Sequence, residues 1–176
     1  MKNRTSSRKS KKARKKRHSP PGSSPGFILL EPDALKPIIN TFLYSAGECH
    51  EHQLESIDDI SKQLLAGPDK FHWIDVHGYG DQIFLEQLAD SFGIHRLQIE
   101  DVVNGYQRPK VEEQKNYLFI VSRVLEEKEG RLVNGQLNIF LGTNFVLTFQ
   151  EVYEDVLEPV RVRIRHGKGL IRTSGS

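Results

Sequence analysis

Apolar positions along this chain recur in two periods, and the switch between them marks out its elements. "FILL" (27–30), "IINTFLYS" (38–45) and "ECHEHQL" (48–54) have the short reach of strands, and "FHWIDV" (71–76) reads as a buried one. "NYLFIVSRVL" (116–125), "GQLNIFLG" (135–142) and "NFVLTFQE" (144–151) follow one another across short polar connections. Such spacing predicts antiparallel pairing, because parallel neighbours need a crossover of a dozen or more residues. Between these runs the period lengthens to that of helices. Ser56, with Asp59 three residues on, resembles a capping box, and Gly67 would stop that helix. Asp81 is placed to cap a second helix through Phe92, with Phe84, Leu85, Leu88 and Phe92 on one face and Gly93 at its end. A third, short helix is expected from about Ile94 to before Gly105, with Ile99, Val102 and Val103 on one arc. That arc leaves Asp101 roughly opposite and Glu100 between, both able to face solvent. Pro109 biases Arg108 toward an extended conformation ahead of a strand containing Val111. A last helix would present Val156, Leu157, Val160 and Ile164 on one face and stop at Gly167. The expected fold class is α/β, a mixed or antiparallel sheet sandwiched by helices, with no internal repeat.

Charge divides the chain where the periods begin. Residues 1–17 hold ten lysines and arginines and no acid; taking those ten from 25 leaves 15 basic against 23 acidic groups, so the remainder carries −8 although the whole carries +2. A like-charged stretch without branched apolar or aromatic residues cannot offset its ordering entropy by burial. The expectation is therefore a basic, disordered N-terminal arm over residues 1–25 and one folded domain over 26–176. At 176 residues and 37% apolar content, one domain with a real core is the expectation. No run approaches the length needed to cross a bilayer, so the residues given read as soluble. One cysteine, Cys49, rules out an internal disulfide and fits a reducing compartment.

Motifs for catalysis are weak. Cys49-His50-Glu51-His52 on a strand would send alternate side chains to opposite faces, so they do not converge as a tetrahedral zinc site requires. Gly78-Tyr79-Gly80 lacks the third glycine of a dinucleotide fingerprint and the Lys-Ser/Thr ending of a P-loop, and reads as a strand-to-helix turn. His72, His77 and His95 have no nucleophile arrangement around them, so an enzyme is not expected. Arg108 and Lys110 read as partners of local acids that fix their turn. Glu100 and Asp101 are two adjacent carboxylates of the kind hard divalent cations use, although such ions usually take more oxygen ligands than two side chains supply.

"WIDVHGYGD", "GIHRLQIEDVVNGYQRPKVE", "NYLFIVSRVL", "FLGTNFVLTFQE" and "VRVRIRHGKGLIRTSGS", in this order and at these separations, resemble the cytoplasmic N-terminal domain of the CorA family of magnesium and cobalt transporters. The resemblance runs from about Gly26 to the last residue, and the His-x-Leu-x-x-Glu-Asp and Gln-Arg-Pro-Lys-Val-Glu strings carry most of it. It implies a homopentameric ion transporter at the inner membrane, whose cytoplasmic domains precede long stalk helices and a two-helix pore region signed by Gly-Met-Asn. Met1 is the sole methionine here and the residues stop at "RTSGS", so the expectation is a regulatory domain truncated before the stalk and pore. By motif, the metal-binding candidates are Glu100 and Asp101, which would hold regulatory Mg2+, or Co2+, weakly at a subunit interface. Their partners in the family lie on the long helices, so an isolated domain is expected to be a monomer or weak oligomer. The alternative from a different class is a stand-alone binding module whose basic arm contacts nucleic acid or anionic membrane.

Overall fold

A computed structural model describes residues 26–67 and 69–173. Seven strands form one sheet: β1 (Ile38–Tyr44), β2 (Cys49–Leu54), β3 (Phe71–His77), β4 (Lys110–Glu113), β5 (Tyr117–Lys128), β6 (Arg131–Gly142) and β7 (Phe145–Gln150). Their spatial order is β2-β1-β3-β7-β6-β5-β4, and every neighbouring pair is antiparallel except β3 and β7. The four helices are α1 (Ile57–Ala66), α2 (Gln82–Phe92), α3 (Arg96–Val103) and α4 (Glu158–His166). The sheet is mixed and lies between helices. Ile60 of α1, Leu85 and Leu88 of α2 and Ile99 and Val102 of α3 share one buried cluster with Ile74, Val76, Phe119, Phe140 and Phe149. Ile164 of α4 packs instead with Phe42, Tyr44 and Trp73. On β3 the two clusters take alternate residues, as the period of two along a strand demands. Among the described residues no helix is long and apolar enough to cross a membrane.

The local stop and start signals act as their chemistry predicts. Ser56 Oγ accepts the Asp59 N–H, Asp81 Oδ1 accepts the Phe84 N–H at 2.9 Å, and Gly93 and Gly167 end their helices in the left-handed conformation. The Gly78-Tyr79-Gly80 turn is a close crossing of backbones. Gly78 N–H donates to the Gln150 carbonyl and Gly80 N–H to the Leu35 carbonyl, and a Cβ on either glycine would strike the carbonyls of residues 34–36. The space over this turn is filled by chain.

Three expectations need correction. "FILL" is not a strand. Ile28 is buried against the α3 side of the core while Phe27 and Leu29 are exposed, so the alternation holds, but the segment lies beside α3 rather than pairing with a sheet edge. Periodicity of two reports a half-buried extended chain, not its hydrogen-bond partner. Second, β5 and β6 run on to Lys128 and Arg131, past the predicted ends, and close on Glu129 and Gly130, both at positive φ. That ribbon carries polar residues on both faces, so no apolar rhythm announces it. Third, the buried face of α4 is not Val156-Leu157-Val160-Ile164. Val160 is 37% exposed and Arg161 only 3%. Other boundaries shift slightly; α3 begins after His95, whose Nδ1 accepts the Leu97 N–H as the cap. The basic arm expected over residues 1–25 lies outside the described residues.

Candidate cation site on helix α3

Helix α3 is short and held by its inner face. Ile99, Val102 and Val103 are buried, each contributing about 1.5–3 kcal/mol by leaving water, and Gln98 is buried beside them. Gln98 Oε1 accepts from the Tyr117 hydroxyl at 2.6 Å, and that hydroxyl in turn accepts the His95 N–H at 3.2 Å. At the other end Gln136 Nε2 donates to the Asp101 carbonyl, while Arg123 donates to the Gly105 carbonyl. These contacts from β5 and β6 fix the rotation of the helix. Glu100 and Asp101 are thereby turned to its half-exposed side, as the helical wheel predicts.

Neither carboxylate simply faces bulk solvent. Glu100 Oε2 accepts the Gly26 N–H at 2.9 Å. Asp101 Oδ2 accepts from Lys110 Nζ at 2.6 Å, and the same ammonium donates to Glu112 Oε1 at 2.6 Å. Glu112 Oε2 takes a further bond from Gln98 Nε2 at 3.2 Å. Glu100, Asp101, Glu112 and Gln98 line, with His95, Leu97 and Gln114, a cavity of about 480 Å³. Burial pulls the Lys110 pKa down, but its bonds to Asp101 and Glu112 outweigh that, and the group ends above its ordinary value. The Lys110 hydrogen bond in turn holds the Glu112 carboxyl below the usual range. Gln98 spends its oxygen on Tyr117 and its N–H on Glu112, so the oxygens that the hollow could offer a hard, hydrated divalent cation are those of the three carboxylates and Gln114.

The expectation for Lys110 is met, since it pairs with local acids. Arg108 is exposed and makes no such pair among the described residues. Glu112 went unassigned in the sequence reading, although the signal was present: residues 110 and 112 share one face of a strand. The cysteine-histidine run on β2 exposes His50, Glu51 and His52, with Glu51 paired to Arg165.

A second polar cluster, deep under α4, was not foreseen. Asp75 of β3 is fully buried, and accepts from Thr148, His77 and Arg161. Arg161 bridges from Asp75 to Asp155 and lies over the rings of Trp73 and Phe42, at 5.1 and 5.8 Å. His77 Nδ1 faces the Val152 carbonyl at 3.1 Å. Asp75, His77 and Asp155 bring ligand atoms within 4.8 Å of one another, as a metal site would. The guanidinium already bridges the two carboxylates of that set, so the cluster is an internal ion pair that docks α4. A single aspartate inside the apolar run "FHWIDV" was the available clue, because a buried charge implies a partner.

Residues 68–175 match the family model described as CorA-like Mg2+ transporter protein. The chain belongs to this CorA-like family. A Thermotoga maritima protein named cobalt/magnesium transport protein CorA is 41% identical over 102 residues, 57% of this chain and 29% of that protein. The chain spans about a third of the length of the curated relatives it matches. In three dimensions it resembles the soluble domain of CorA from Methanocaldococcus jannaschii, with a TM-score of 0.55 at 18% identity, covering 76% of this chain and 50% of that one. It also resembles the full-length CmaX protein, with a TM-score of 0.56 at 15% identity, covering 79% of this chain and 42% of that one. These likenesses establish the CorA soluble-domain fold for this chain.

Proposed function

We propose that this chain is the cytoplasmic, divalent-cation-sensing part of a CorA-type magnesium and cobalt transporter, and not an enzyme. Glu100 and Asp101 offer the ligands, and the regulatory ion is Mg2+ or Co2+. The observation that carries this reading is that Glu100, Asp101 and Glu112 line one open cavity. Magnesium keeps several of its waters, so a few carboxylates can hold it loosely and reversibly, as a sensor requires. The ion adds positive charge to an acidic set of which Asp101 and Glu112 otherwise share one ammonium. If further ligands come from a neighbouring subunit of a homopentamer, occupancy couples subunit packing to gating through the difference in affinity between two states. Support for the transporter context comes from the family and from the named activity of the Thermotoga maritima relative.

The test is a Mg2+ and Co2+ titration by calorimetry of the wild type, Glu100→Gln and Asp101→Asn, with sedimentation in parallel. Wild-type affinity near the roughly millimolar level of sparse oxygen sites is expected. Asp101→Asn should weaken it about tenfold or more, and Glu100→Gln less, because its carboxylate also holds the Gly26 N–H. Binding unchanged in both variants would remove these residues from the sensor.

A further inference from the structure

We propose that residues 26–29 and the start of α3 form a membrane-contact site: the basic residues 1–17 bind the headgroups of an anionic lipid bilayer and bring the exposed side chains of Phe27, Leu29 and Leu97 onto its surface. This contact is separate from the cation reading above and does not depend on it.

Ile28 is buried in the core cluster shared with α3, so along this extended segment its neighbours Phe27 and Leu29 point the other way, 43% and 41% exposed. Helix α3 supplies a third apolar group beside them. Leu97 is 44% exposed, and a Cβ on Gly26 would lie 3.0 Å from Arg96 Cβ and 3.8 Å from the Leu97 nitrogen, so Phe27, the next residue, sits next to that helix turn. Arg96 is itself exposed. A single exposed leucine needs no explanation, but two leucines and a phenylalanine on one rim, with an arginine among them, mark a surface that meets something. Charge says what. Ten lysines and arginines without an acid occupy residues 1–17, and nine residues separate Arg17 from Phe27, a reach of at most about 35 Å. The rim alone would be repelled by an anionic surface: Glu31 and Asp33 follow it in the chain, Glu100 bonds Gly26, and residues 18–176 hold 15 basic against 23 acidic groups. The ten cations reverse that sign locally, each strengthening attachment to an anionic leaflet roughly fivefold. Interfacial attachment grows with the apolar area inserted and with the attraction to anionic lipid, so the two halves act together. Nucleic acid would use the same cations, but its bases stack on aromatic rings and have no use for Leu29 and Leu97, whereas acyl chains take up aliphatic and aromatic carbon alike. The bilayer fits both halves.

The test is co-sedimentation of the full 176-residue chain with vesicles of phosphatidylcholine alone and of phosphatidylcholine mixed with phosphatidylglycerol, in low and in high salt. Binding should require the anionic lipid and weaken as salt rises. Arg14→Gln, Lys15→Gln, Lys16→Gln and Arg17→Gln combined should lower it about a hundredfold or more. Phe27→Ser or Leu97→Ser should lower it about tenfold each, with circular dichroism confirming the fold. Phe27→Trp reports insertion directly: its fluorescence should be quenched by lipid brominated on the acyl chains, while that of Trp73, 4% exposed, should not. Vesicle binding that ignores both serine substitutions, or a Phe27→Trp signal that stays unquenched, overturns the contact site and leaves a bare electrostatic attachment. A short RNA bound more tightly than the anionic vesicles, and equally by wild type, Phe27→Ser and Leu97→Ser, assigns the basic residues to nucleic acid and overturns the proposal. Absence of binding to anionic vesicles at low salt overturns it outright. None of these outcomes bears on the Mg2+ titrations of Glu100 and Asp101, so the two readings fail separately.

Discussion

Two places in this protein are built on the same plan and behave differently because of water. In each, a cationic side chain bridges two carboxylates and lies over aromatic carbon: Arg161 with Asp75 and Asp155 over Trp73 and Phe42, and Lys110 with Asp101 and Glu112 near Phe119, 5.4 Å from the ring centre. Arg161 is 3% exposed and Asp75 not at all, with only the outer acid, Asp155, reaching water at 28%, while Lys110, Asp101 and Glu112 all keep water, at 29%, 24% and 38%. Where water is excluded, removing one partner strands a charge in a medium that cannot solvate it, so the arrangement acts as a lock. Where water reaches, each ion has an alternative partner and the arrangement can exchange. The side chains match their settings. A guanidinium offers a fixed fork of donors, whereas an ammonium on a flexible stem can leave. A cluster of acids and a histidine is therefore not a cation site merely because its atoms converge.

The strongest attack on this contrast is Arg161→Ala. It leaves the buried Asp75 without its guanidinium, with only Thr148 and His77 beside it, and should cost about 3–5 kcal/mol in urea unfolding. Replacing both partners, Asp75→Asn with Arg161→Met, should recover part of that loss, because no uncompensated charge remains. A loss below about 1 kcal/mol for Arg161→Ala would mean the pair is no lock.

A buried ionisable group with no acid beside it sharpens the same point. His72 Nε2 donates to the Gly67 carbonyl at 2.7 Å, and its Nδ1 has no partner among the described residues. Burial pushes its pKa below the ordinary 6.5, with the Lys70 charge adding to the fall. The folded protein thus keeps His72 neutral, while the unfolded chain takes up a proton as pH drops through about 6.5. The stabilisation is complete above that pH and is lost progressively below it. Chemical denaturation from pH 7.5 to 5 should show this fall, and His72→Gln, which keeps a donor for Gly67 but cannot titrate there, should flatten it. An unchanged slope would assign the pH dependence elsewhere.

The smallest effect should come from the exposed pair. Lys110→Ala should change unfolding stability by about 1 kcal/mol or less, and what it changes should fade in high salt. Arg161→Ala should keep its cost in the same salt. If the two variants responded alike to salt, burial would not be what separates them.

The sequence by itself determined most of the elements, because their causes are local. Ser56, Asp81, Gly93 and Gly167 satisfy or end helices through their own side chains or backbone, and apolar spacing marks the inner faces of α2 and α3 without reference to the rest of the chain. It also placed Glu100 and Asp101 on the outer side of a short helix, since that follows from the helical repeat alone. Tertiary structure decided who meets whom. Nothing local says that β7 pairs in parallel with β3, that the extended "FILL" segment finds α3 instead of a sheet edge, or that Lys110 reaches Asp101 and Glu112 at once. Arg161 shows the limit most plainly. Apolar spacing is silent about it, and its burial becomes favourable through Asp75, 86 positions earlier on another element, together with Asp155.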